Sequence, residues 1–218
     1  MNKVKYFPVF AAGDMLNEST EIIEFGKLAH DLKGPLNSIK GLLLIAMHDV
    51  EQVDAQRYLK LIELYQQLLY YRINDLLNKV QVSGTYSSLD FLKESRIFKS
   101  IRRPLFELIS RDSADLSEVK YRIPFSEKAG RIYRLNKILD ALQKNWSGKK
   151  NEVHSGHVDL GILAQDIHGS LNSIKLLLEI ALSEIENETA RNYFDLLEQT
   201  RMKLFYQGGR NTEKNAWK

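Results

Sequence analysis

Apolar residues recur along two stretches of the chain at alternating spacings of three and four. In the first, Phe25, Leu28, Leu32, Leu36, Ile39, Leu43, Ala46 and Val50 form one stripe. That is the pattern of a helix laying a single face against a bundle. Asn17, Ser19 or Thr20, followed by Glu21 and Glu24, predicts where this helix starts, through side-chain capping and acids at the positive end of the dipole. A second stripe, Tyr58, Ile62, Tyr65, Leu69, Ile73 and Leu76, predicts a second helix capped by Asp54. Together they read as a helical hairpin over residues 19–82, after an N-terminal extension of residues 1–18.

The same pattern returns later. Leu28-Ala-His-Asp-Leu-Lys-Gly-Pro-Leu-Asn-Ser-Ile-Lys40 recurs as Leu163-Ala-Gln-Asp-Ile-His-Gly-Ser-Leu-Asn-Ser-Ile-Lys175, and the correspondence runs without a gap from Leu28–Tyr71 to Leu163–Tyr206. Of the 44 aligned positions, 20 are identical, which marks an internal duplication. The second stripe, Leu160, Leu163, Ile167, Leu171, Ile174, Leu178, Ala181 and Ile185, is apolar at every position. Thr189 stands where Asp54 does, and Tyr193, Leu197 and Leu204 carry a weaker stripe beyond it. A second hairpin is therefore predicted over residues 151–207, with a tail at 208–218. Two hairpins with matching stripes would bury each other as a four-helix bundle, either within one chain or by dimerisation. The fold class is mainly α.

Residues 83–150 differ in character. A helix is predicted from Leu89 to about Ser110, then a polar break at Arg111–Asp115. A short alternating strand over Val119–Pro124 and a helix from about Ala129 to Asn145 complete a small helix-strand-helix segment. From residue 85 to 150 there are 15 Lys/Arg against 8 Asp/Glu, while the remainder of the 31 basic and 28 acidic residues leaves the rest of the chain acidic. This basic middle carries no helix-turn-helix, zinc-finger or RNA-recognition signature, so no nucleic-acid partner is expected.

Composition narrows the chemistry. With no cysteine among 218 residues, disulfide scaffolds, thiolate nucleophiles and Cys-ligated metals are excluded. The longest apolar run, Gly41–Met47, falls well short of the ~20 residues of a membrane span, so the chain reads as cytoplasmic with no membrane partner. His154-Ser-Gly-His157 lacks a third ligand, so no metal is expected there. His48 and His168 read as surface residues.

His30 is the residue with chemical promise. It lies two positions from both Leu28 and Leu32, about 200° round the helix from each, and so points away from the core. An exposed imidazole beside Asp31 can act as a nucleophile through one ring nitrogen while the carboxylate orients or deprotonates the other. Lys33 can meet phosphate charge, and Pro35 is expected to bend the helix just beyond.

Phe25-x-x-Leu-Ala-His-Asp-Leu-Lys-Gly-Pro-Leu-x-x-Ile-x-Gly41 resembles the H-box of the dimerisation and histidine-phosphotransfer domain of bacterial two-component sensor kinases. The likeness covers roughly residues 20–80. It implies a phosphoryl group carried on His30, Asp31 as base, and a docking face around Lys27, Lys33, Gly34, Pro35 and Asn37. Gly34 departs from the Thr or Asn that precedes the proline in members that dephosphorylate their regulator. The second copy is degenerate: Gln165 replaces the histidine and Ser170 the proline, while Asp166 is kept, so it cannot form a phosphoramidate.

The segment from Glu118 to Asn145 faintly resembles the opening of such a kinase's ATP-binding domain, with Asn145 at the metal-binding position and Trp146 where alanine is usual. The Gly-rich phosphate loops are missing, so no nucleotide cofactor is expected, and Mg²⁺ would come with the partner. The expected function is a histidine phosphotransfer protein exchanging a phosphoryl group with a response-regulator receiver domain. The alternative is a non-catalytic, kinase-like module that pairs with and inhibits a sensor kinase or sequesters a regulator. Homodimerisation stays open in both.

Overall fold

The computed structural model describes residues 12–81, 88–118, 125–152, 160–185 and 187–215, all of them in or between six helices. These are α1 (Ala12–Asp49), α2 (Val53–Gln81), α3 (Ser88–Glu118), α4 (Phe125–Glu152), α5 (Leu160–Ser183) and α6 (Glu188–Asn215). Helices α1, α2, α5 and α6 pack in a ring, each against two neighbours, to make a four-helix bundle within the single chain. The two repeats therefore supply each other's second half.

The core is the stripe predicted from the repeat. Leu32, Leu36, Ile39, Leu43, Ala46 and Val50 are buried, and so are their counterparts Ile167, Leu171, Ile174, Leu178, Ala181 and Ile185. Each large side chain taken from water here stabilises the bundle by about 1.5–3 kcal/mol. The two hairpin turns also match. Gln56 Nε2 donates to the Val50 carbonyl at 2.7 Å, and in the second repeat Arg191 Nε donates to the equivalent Ile185 carbonyl at 3.1 Å. A different side chain at the same position thus satisfies the same orphan carbonyl at a helix end.

Several boundaries differ from the sequence reading. Helix α1 begins at Ala12, so Asn17, Ser19 and Thr20 lie inside it and do not start it. It also continues through Pro35 as one helix. Asp54 lies in the first turn of α2, where its carboxylate takes Arg57 at 2.9 Å and Arg111 at 2.8 Å. Helix α6 continues to Asn215, into the stretch read as a tail, and no proline intervenes to stop it. The polar stretch Arg111–Asp115 is helical within α3, because the charges that suggested a break have partners on other elements. Arg111 reaches Asp54 of α2, and buried Asp112 lies 3.9 Å from Arg131 of α4. The strand read at Val119–Pro124 and the pair His154 and His157 lie outside the described residues.

Helices α3 and α4 form a hairpin laid against one side of the bundle. α3 packs on α2 and α4 packs on α5, while among the described residues neither approaches α1 or α6. The basic surplus of the middle segment is used here: Arg111 pairs with Asp54, Arg131 with Glu184 at 2.5 Å, and Arg134 lies 3.9 Å from Glu179.

Exchanging α1 with α5 and α2 with α6 maps the bundle's contacts onto themselves. The bundle alone therefore has two equivalent grooves, α2/α5 and α1/α6. The α3–α4 hairpin covers the first and leaves the second open. Identical residues record the difference: Ile180 is 0% exposed and Ile45 47%, Leu61 is 1% exposed and Leu196 45%.

Candidate functional site

His30 stands on the outer ridge of α1, beside the open groove. Its side chain is 87% exposed, and Nδ1 lies 3.7 Å from Asp31 Oδ1, with the Asp31 side chain 45% exposed. A small rotation of either side chain closes that separation to a hydrogen bond. With Nδ1–H directed at the carboxylate, the lone pair sits on Nε2, which faces solvent. The helical period places Lys27, Lys33, Gly34 and Asn37 within about 60° of His30 on the same side of α1. Lys27, Gly34 and Asn37 are exposed, and Lys33 and Pro35 are half-buried.

Gly34, one turn beyond the histidine, has nothing outside its own turn of helix within 4 Å of the place a Cβ would take. The surface below the ring is therefore low and unobstructed. Ser38 Oγ donates to the Gly34 carbonyl at 3.2 Å, as Ser173 does to Gly169 at 3.0 Å in the second repeat. Pro35 has no N–H, so the Asp31 carbonyl, next to His30, lacks its usual helical donor.

The matching place in the second repeat is built quite differently. Gln165 is exposed, as His30 is, but Asp166 is buried under the α3–α4 hairpin. Arg72 of α2 joins it there: its guanidinium is 3% exposed, with Nε 2.9 Å from Glu94 of α3 and Nη1 3.3 Å from Asp166. The acid that borders His30 in the first repeat is thus a structural ion-pair partner in the second. His168, read as a surface residue, is half-buried and stacked on Phe205, ring centroids 4.7 Å apart.

At the other end of the open groove, His48 Nδ1 bonds Asp49 at 2.8 Å. That bond first, and the Tyr193 hydroxyl second, hold the Asp49 carboxyl below its ordinary value. Asp49 and Tyr193 are the counterparts of Glu184 and Tyr58 on the covered side. There burial pushes the Tyr58 hydroxyl up to about 12, beside Arg131. The sequence reading missed Arg72, Glu94, Asp49 and Arg131. A signal for Arg72 exists in the spacing Tyr58, Leu61, Tyr65, Leu68, Arg72, a second stripe on α2 that α6 keeps only partly, as Tyr193, Leu196, Thr200, Lys203 and Gln207.

A groove of about 410 Å³ between α4 and α5, lined by Arg131, Arg134 and Glu179 among others, lies on the covered side, where both arginines already face acids. Among the described residues no three His, Asp or Glu side chains converge to hold a metal ion. Nor is any helix among them long and apolar enough to cross a membrane. No family model, curated protein or solved structure matches the chain.

Proposed function

We propose that the protein is a histidine phosphotransfer protein of a two-component relay, carrying a phosphoryl group on His30. The observation that supports this best is the exposed His30–Asp31 pair, with Nδ1 towards the carboxylate and Nε2 free. In the forward step, the Nε2 lone pair attacks the phosphorus of an aspartyl phosphate on a receiver domain. The acyl O–P bond breaks, an N–P bond forms, and the aspartate leaves as a carboxylate. The Nδ1 proton passes to Asp31 or to water, and it returns when the phosphoryl group moves on to a second receiver. The receiver brings the Mg²⁺ that neutralises the phosphoryl oxygens. Closing the bundle within one chain removes the need for a second subunit. A cytoplasmic location follows from this reading.

The test is acid-labile phosphate on His30 after mixing the chain with phosphorylated receiver domains, and separately with ATP. Label from a receiver but not from ATP is the expected result; label from neither refutes the relay. A second reading, a binding module without chemistry, draws on the apolar open groove at Ile45 and Leu196, which would serve a partner whether or not phosphate moves. His30→Gln separates the two, since a binding module keeps its full effect.

A further inference from the structure

We infer that the α3–α4 hairpin is a built-in cover that makes a two-faced bundle single-faced, so that each chain engages one protein partner, on the α1/α6 groove between Asp31 and Asp49. The occupant is one receiver domain presenting a helical, apolar surface with a cation for Asp49. Its identity as a receiver rests on the relay reading; the face itself rests on the internal symmetry.

The covered groove shows what this surface accepts. On the α2/α5 side the occupant is a pair of helices whose Ile101, Leu105, Leu135 and Ile138 are buried. Its Arg131 meets Glu184 beside Tyr58. Near Asp49 the open groove repeats the receiving half of that contact. Ile45 and Leu196 are the same residue types as their buried mates, yet 47% and 45% exposed. Asp49 and Tyr193 stand where Glu184 and Tyr58 stand, and no Arg or Lys is paired with Asp49 among the described residues. Leu44 adds to the patch: it is 55% exposed and replaces Glu179 of the covered side. The open groove is apolar near Asp49, through Leu44, Ile45 and Leu196, and polar towards His30, where α6 carries Thr200 and Lys203. It favours a partner that is apolar and basic at the Asp49 end and polar towards the histidine. Two such grooves would admit two partners; the hairpin leaves room for one.

The full chain would be titrated with a panel of receiver domains charged by a small-molecule phosphodonor, reading stoichiometry by light scattering and affinity by calorimetry. One receiver per chain is expected. Ile45→Glu with Leu196→Glu should weaken binding at least tenfold and Asp49→Lys at least fivefold. Phe106→Glu, on the outer side of α3, should stay within twofold. All four sites are at the surface or half-buried, and an unchanged far-UV spectrum confirms the fold; Ile45→Ala gives a graded loss should the double variant be impaired. Two receivers per chain, or full affinity in the double variant, overturns the inference. Transfer to His30 that survives the double variant sinks the face and spares the relay. A wild-type chain that neither binds nor accepts phosphate from any receiver sinks both.

Discussion

Asp31 and Asp166 occupy the same position of the two repeats and lead opposite lives. Asp31 lies at the surface 3.7 Å from His30, while Asp166 is buried 3.3 Å from Arg72. The exposed acid can exchange protons with a neighbour and with water. The buried one is held in an ion pair with Arg72, and removing that partner would leave its desolvation uncompensated. One repeat has the surroundings for chemistry and the other those for structure.

Removing Arg72 should therefore be severe. Arg72→Met leaves Glu94 and Asp166 buried without their shared cation, a loss of about 3–5 kcal/mol. Thermal or urea unfolding measures it. Arg72→Met with Glu94→Leu and Asp166→Leu should regain part of the loss, because replacing all three charges by apolar side chains removes their desolvation cost.

His30→Gln reproduces the residue of the second repeat at an exposed position. Stability should change by no more than about 0.5 kcal/mol, while acid-labile phosphate disappears entirely. Asp31→Asn should also leave the melting temperature unmoved and slow transfer by about 10²-fold, the lower end for loss of a general base. Stopped-flow mixing with a phosphorylated receiver reads that rate.

Gly34 sits inside α1 with open space where a Cβ would go. Gly34→Ala should stabilise the chain by about 0.5–1 kcal/mol, the usual cost of glycine in a helix interior. Denaturant midpoints at constant slope would show it. A destabilised variant would contradict the packing described for this turn.

The Asp54 carboxyl is held below its ordinary value of 3.8, first by its hydrogen bond from Arg111 and then by the charges of Arg111, Arg57 and Arg131. A depressed carboxyl contributes stability that is complete above its unfolded value and lost as pH falls through its folded one. The α2–α3 tether should hold at neutral pH and loosen only below pH 3.8. Comparing Asp54→Asn with the parent chain across that range should show the parent's advantage shrinking with acid. An advantage independent of pH would refute the assignment.

The bundle and its core were legible in the sequence because the stripe Leu32, Leu36, Ile39, Leu43 and its copy at Ile167, Leu171, Ile174, Leu178 follow the helical period, and that period marks the face each helix turns to the bundle core. The outward direction of His30 follows from the same arithmetic. The polar stretch at Arg111–Asp115 misled, since charges that pair across helices look from sequence like charges that need water. Capping at Asn17–Thr20 misled for a related reason: good capping residues are also tolerated inside a helix.

The sequence by itself determined the duplication, the shared apolar stripe, the presence of Gln165 where the first copy has His30, and the outward-facing His30. These depend on residue type and on spacing within one helix. Only the tertiary structure decided that the repeats close on each other within one chain, and that α3–α4 covers α2/α5 and not α1/α6. Ile45 and Ile180 carry the same side chain on the same stretch of repeat, so nothing local distinguishes them. Whether a residue is buried depends on what packs over it, and that is settled by elements far away in the chain.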